Sequence, residues 1–176
     1  MKKIAVILAL VLLLSACGAA SGDAGMEFTR GTQSASGQET ENGDVSSAPF
    51  AFVTEGVTLT PGAAFDGAQL PQPDSVYEVP SCAIEGTDNV YNYGAFEVTA
   101  FQDKDGEKIY SVYFLDANLT TAEGLALGDS VEKLVSLYGD GYEVNGTEYF
   151  YTRGETILSV LVQGDMIISI EYRWNT

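Results

Sequence analysis

The chain reads as an α+β domain: an antiparallel sheet built from two similar three-stranded meanders, with one or two short helices packed on one face. Three observations predict this. Two stretches, 90–115 and 147–174, alternate apolar and polar residues with the two-residue period of strands. Between them, 130–138 places apolar residues at helical spacing. The two strand-rich stretches also align with each other at an offset of 58 residues.

The elements follow in order. Folded sequence begins near Pro49-Phe50, with Phe50 to Leu59 as an extended lead-in and Thr60-Pro61-Gly62 as a turn. Over 63–80 the pattern is weakest. Leu70-Pro71-Gln72-Pro73-Asp74 interrupts the chain, and Ser75-Val76-Tyr77-Glu78 fits one turn of helix or a strand. Val90 to Tyr93 is a short strand. Ala95 to Phe101 alternates, with Phe96, Val98 and Ala100 on one face and Glu97, Thr99 and Phe101 on the other. Asp103 to Glu107 is a hairpin turn in which Gly106 can take positive φ, and Lys108 to Leu115 is a strand of β-branched and aromatic residues.

The helix comes next. Asp129 is its expected N-cap, with Glu132 three residues on as a capping box. Val131, Leu134, Val135 and Tyr138 form one apolar stripe, and Gly139 ends it. A helix of about ten residues is marginal alone, so it must lie on a sheet. Thr147 to Thr152, Glu155 to Val162 and Asp165 to Trp174 supply three further strands, turning at Arg153-Gly154 and Gln163-Gly164.

At the 58-residue offset Tyr91 matches Tyr149, Tyr93 matches Tyr151, Gly106 matches Gly164, Ile109 matches Ile167 and Val112 matches Ile170. A one-residue indel near the middle strand keeps the alternation in phase. The folded region, 49–176, is thus expected to hold two repeats, about 57–115 and 120–174. The second contains Gly124-Leu125-Ala126-Leu127-Gly128-Asp129-Ser130, Leu137-Tyr138-Gly139, Tyr149-Phe150-Tyr151 and the strand at Ile167. This order resembles the small-lipoprotein modules related to β-lactamase inhibitor protein and to outer-membrane assembly lipoproteins of the BamE (SmpA/OmlA) type. The first half shares it in part, lacking a Gly-x-Ser helix start. The resemblance implies helices over one face of an antiparallel sheet and protein binding on the other.

The N-terminus carries a separate signal. Lys2 and Lys3 precede eleven apolar residues, Ile4 to Leu14. As a helix they span about 16 Å, short of a bilayer core of ~30 Å. That length suits the apolar region of a secretory signal. Leu14-Ser15-Ala16-Cys17-Gly18 then resembles the lipobox of bacterial lipoproteins. The resemblance implies a signal peptide at 1–16, cleavage before Cys17, and a diacylglycerol on the Cys17 thiol. It places the protein on the extracytoplasmic side of a bacterial cell envelope, held to the membrane by lipid. From 17 to 48 the chain is a tether: only Met26, Phe28 and Val45 are sizeable apolar residues after Cys17. Its r.m.s. reach is roughly 30 Å. Lipidation leaves Cys82 without an intramolecular partner. No cation in Val79 to Glu85 lowers its thiol pKa, so it is expected to be a small apolar core side chain.

Charge and composition limit the chemistry. Eight Lys and Arg face 25 Asp and Glu, a net charge of −17, and there is no histidine. Loss of residues 1–16 removes two lysines and no acids, giving −19. Nucleic acid is excluded as a partner, because phosphate binding needs a basic stripe. His-dependent triads and His-ligated zinc are excluded too. No phosphate-binding glycine loop occurs, so no nucleotide or other cofactor is implied. Asp103-x-Asp105-Gly106 looks like part of a calcium loop, but position twelve is Phe114 rather than Glu, and the run is a polar hairpin tip with no metal. Ser130 and Lys133 have nucleophile-base spacing without its companion motifs.

The informative excess is aromatic: ten Tyr and eight Phe. In a one-layer sheet, half of each strand looks outward, which makes Tyr110, Tyr113, Tyr172 and Trp174 candidate anchors of a protein-binding face. The expected function is a non-catalytic, lipid-anchored binding module whose protein partner is basic where they meet. The alternative is a small cell-envelope hydrolase acting on glycan with a carboxylate pair.

Overall fold

Strands, most of them rich in β-branched and aromatic residues, dominate the fold, and ten are formed among the described residues. The computed structural model describes residues 47–81 and 84–176. The signal segment, Cys17, nearly all of the tether and Cys82 lie outside the described residues.

β1 (Phe52–Thr54) and β2 (Val57–Leu59) form a separate two-stranded hairpin. The main sheet contains β3 (Ser75–Pro80), β4 (Thr87–Asn92), β5 (Phe96–Asp103), β6 (Gly106–Phe114), β7 (Glu143–Asn145), β8 (Glu148–Arg153), β9 (Thr156–Gln163) and β10 (Met166–Trp174). Its order is β3-β4-β5-β6-β10-β9-β8-β7, and every pair is antiparallel. One α-helix, α1 (Val131–Tyr138), lies between β6 and β7 in sequence. The sheet thus has eight strands where six are expected. The two additions, β3 and β7, are its outer edges. Every residue of β7 and all but Val79 of β3 is exposed or nearly so, and a strand buried on neither face leaves no alternation to read.

One face of the sheet holds the main apolar cluster. Phe96, Val98, Ile109, Val112, Phe114, Tyr151, Leu158, Val160, Ile170 and Tyr172 are buried there, beneath Leu134 and Tyr138 of α1, Leu125, Leu70 and the β1–β2 hairpin. Phe52 of that hairpin sits between Phe96 and Phe114, with ring centroids 4.8 and 5.1 Å away. Val90 and Phe101, which the register places on the other face, are buried as well.

Two β-bulges decide which residues reach this core. The β5–β6 register shifts so that Tyr110 is the extra residue, and the β9–β10 register shifts so that Ile168 is. As a result Ile109 and Val112, three apart, both point inward, as do Ile167 and Ile170. The two bulges are 58 residues apart.

α1 starts on Ser130, not Asp129: the Ser130 hydroxyl accepts from the Lys133 N–H. The Asp129 carboxylate is occupied elsewhere, accepting the Ala126 N–H at 2.7 Å and pairing with Lys133 Nζ at 2.7 Å. Leu134 and Tyr138 are buried, Val131 and Leu137 flank the core, and Val135 is half-exposed beside it. The apolar stripe is therefore rotated slightly from its expected centre. The Tyr138 hydroxyl meets Thr121 Oγ1 at 2.6 Å and the Glu123 carboxylate at 2.9 Å. Arg153 of β8 pairs with Glu123 and lies over the Phe50 ring at 4.3 Å, tying this loop to the sheet.

Candidate protein-binding face

The register of the sheet defines its second face. Cross-strand partners share a face, so the pairings can be followed from edge to edge. One row runs Ser75, Asn92, Glu97, Tyr113, Glu171, Ser159, Phe150, Glu143, one residue from each of the eight strands. Beside it run Tyr77, Val90, Thr99, Ser111, Arg173, Ile157 and Thr152. The apolar residues that α1, the β1–β2 hairpin and the connecting loops contribute to the core belong to the opposite face.

Polar contacts tie this second face together. The Tyr77 hydroxyl donates to Glu97 at 3.0 Å, and the Asn92 amide donates to the same oxygen at 2.8 Å. Farther along, the Ser159 hydroxyl donates to Glu148, and Arg173 approaches Glu148 at 3.7 Å while lying 5.1 Å over the Phe150 ring. Glu171, in mid-sheet, has its carboxyl pushed above the ordinary Glu range. Burial is the main cause and the Glu148 charge adds to it, while a hydrogen bond with Ser111 and the Arg173 charge act against it. Toward the β7 edge the surface dips into an open groove of about 370 Å³ lined by Phe150, Ile157, Val144, Glu143, Arg173 and neighbours. This face therefore mixes aromatic and aliphatic area with Arg173 and the carboxylates of Glu97, Glu143, Glu148 and Glu171.

The four tyrosine and tryptophan candidates do not gather on this face. Tyr113 lies on it, in the first row and half-buried. Tyr110 is the bulge residue of β6 and makes contacts of its own. Tyr172 is on the opposite face at 1% exposure, stacked on Phe50 with Phe114 edge-on, so it is core and not an exposed anchor. Trp174 is half-buried, its ring lying flat on Phe101 at 5.4 Å and against Gly62, where a Cβ would stand 2.9 Å from Trp174 Nε1. The residues missed are Glu171, Arg173, Glu148 and Phe150. A signal for the first two was present, since Ile170-Glu171-Tyr172-Arg173 alternates charge with apolar area and charge marks the solvent side.

No family model, curated protein or solved structure matches the chain. Among the described residues no helix is long and apolar enough to cross a membrane, and no group of three or more acidic, Cys or His side chains is placed to hold a metal ion.

Proposed function

We propose that this protein is a lipid-anchored, extracytoplasmic binding module, non-catalytic, that docks a protein partner on the second face of its sheet. The observation that carries this is the segregation of the two faces. The helix and the N-terminal hairpin are spent on one, while the other sets Tyr77, Tyr113, Phe150, Ile157 and Arg173 among Glu97, Glu143, Glu148 and Glu171. A partner basic at its contact surface complements those acids. The lipobox-like segment at Cys17 supports the anchor, and two acyl chains retain a soluble domain where one does not. The bulges at Tyr110 and Ile168 support the repeat, since the offset that aligns the sequence also aligns this irregularity. Two similar meanders meeting at β6 and β10 is the arrangement we infer from it.

Site-specific photo-crosslinking in the lipidated protein tests the docking face. A photoreactive phenylalanine at Tyr113 or Phe150 should capture a discrete protein adduct, and one at Asn118, on the connecting loop, should not. Adducts from Asn118 alone would remove the face from consideration, and a Cys17→Ala protein still labelled by a palmitate analogue would remove the anchor.

A glycan hydrolase is the second reading. One observation favours it: Glu148 and Glu171 are close enough to influence each other, and Glu171 holds its proton more tightly than an ordinary carboxyl. Against it, Glu148 is engaged by Ser159 and Arg173, and Glu171 by Ser111. Release of reducing ends from peptidoglycan, abolished by Glu171→Gln, would establish it.

A further inference from the structure

The two edges of the main sheet differ. β7 is three residues long, whereas β3 is six and is exposed along nearly its whole length. Its ladder to β4 runs without a shift of register, and just past its end the Ser81 N–H donates to the Gly86 carbonyl at 3.0 Å. Inward and outward N–H groups alternate along an antiparallel strand. Counting back from Ser81, the amides of Val79, Tyr77 and Ser75 turn toward β4, and those of Val76 and Glu78 turn out. Pro80 also falls in the outward set, the place where an edge strand tolerates proline. Edges are commonly blunted by charged side chains, above all lysine, by proline, by a bulge or by a covering segment. β3 has no lysine and no register shift within 75–80; an irregularity lies only at its start, where the Asp74 N–H donates to the Asn92 carbonyl at 2.8 Å, and Glu78 and Pro80 leave Val76 and Tyr77 51% and 45% exposed.

Charge selects the occupant. From residue 47 to 103 the chain has eight Asp and Glu and not one Lys or Arg. Asp74 precedes β3, Glu78 is on it, and Asp88 and Glu97 are on the next two strands. Asp88 stands opposite Val79, and its Oδ1 is buried with no hydrogen-bond partner. A second copy of this chain fits poorly, because it brings the same acids. Its Lys104, Lys108, Lys133, Arg153 and Arg173 each already face a carboxylate. Residues 17–46 fit no better, with five acids and one arginine.

We propose that β3 receives an extended basic segment of another protein, added to the sheet as a ninth strand. The outward N–H and C=O groups of Val76 and Glu78 hold its backbone. Val76 and Tyr77, on opposite faces of β3, flank its apolar side chains, and its Lys or Arg side chains face Glu78 and Asp74. This stands independently of what the second face of the sheet docks.

The test uses the folded domain and a fluorescent peptide of alternating Lys and Val, followed by anisotropy at low salt. Three controls accompany it: the same peptide N-methylated at alternate residues, an alternating Glu and Val peptide, and the Val76→Pro protein. The Lys/Val peptide should bind and give hydrogen-exchange protection to the Val76 and Glu78 amides. N-methylation, which keeps the charge and removes the backbone donors, should weaken it by about tenfold or more, as should Val76→Pro. The Glu/Val peptide should not bind. Equal affinity of the methylated peptide would show charge attraction without strand addition and overturn the proposal. So would protection confined to β8–β10, no Lys/Val binding at all, or a dimer of this chain that protects the same two amides. Because methylation alters the peptide alone, the outcome does not depend on the proline variant folding.

Discussion

Replacing Tyr172 and Tyr113 by alanine, one at a time, separates the two faces of the sheet energetically. One rung of the β6–β10 ladder separates these residues: Tyr172 pairs with Val112, and Tyr113 pairs with Glu171. Their environments are opposite. Tyr172 is 1% exposed, stacked on Phe50 at 5.6 Å and met edge-on by Phe114 at 5.6 Å. Truncating such a ring leaves a cavity among aromatics and costs about 3–5 kcal/mol. At about 4 °C per kcal/mol for a domain of this size, Tm should fall by roughly 12–20 °C. Tyr172→Phe keeps the ring and loses only the hydroxyl bonded near Tyr138 and Thr121, a cost of about 1 kcal/mol. Tyr113, half-buried on the second face, should change stability by less than about 1 kcal/mol when truncated. Thermal unfolding followed by far-ultraviolet circular dichroism reads all three. A Tyr113→Ala protein that melts far below the Tyr172→Ala protein would refute the assignment of faces, and with it the docking surface.

Two further perturbations follow from the same geometry. Leu134→Ala in α1 should cost about 2–5 kcal/mol in urea unfolding, and Val135→Ala, beside the core, clearly less; equal costs would mean the helix presents a different stripe. Glu171 has a folded pKa above its unfolded value of 4.5, so its contribution to stability is fully present below that value and is lost as pH rises through the folded pKa. Glu171→Gln removes this dependence, so its stability relative to the natural protein should improve from about pH 4 to about pH 7; a gap that stays constant in urea titrations would show that the carboxyl is not perturbed.

The strands legible in the sequence were those buried on one face, because only these alternate. β5, β6, β9 and β10 carry Val98, Val112, Val160 and Ile170 on a dry face, and their polar partners fix the phase. β3 lacks that contrast, and its Val76-Tyr77 run suits a helix turn equally well. The phase of β10 was harder. Ile167 and Ile170 are both core although three residues apart, which strict alternation forbids, and Ile109 and Val112 present the same spacing on β6. A bulge resolves both, and no single residue in either strand announces one. The helix cap falls one residue from its expected position for a local reason: Asp129 and Ser130 both suit an N-cap, and the loop contact of Asp129 with Ala126 removes it from competition.

The position of the first described residues bears on how the proposed anchor and the two proposed docking surfaces coexist. Ser47 lines a surface hollow with Tyr138, Gly141, Tyr151, Arg153 and Gly154, on the helix-covered side of β8. Three residues later Phe50 is fastened, its N–H donating to Thr156 Oγ1 at 2.8 Å and its ring under Arg153. A chain arriving from a lipidated Cys17 therefore joins the domain on the face that α1 already occupies. β3 lies six strand spacings from β8, about 29 Å across the sheet. Were the chain held at a membrane through the proposed lipid on Cys17, its excess of acids would be repelled by anionic headgroups and the domain would stand off the bilayer. On the proposed anchor, a chain entering at the β8 end of the covered face reaches neither the second face nor the β3 edge, so both proposed docking surfaces would be open to a basic partner at the same time.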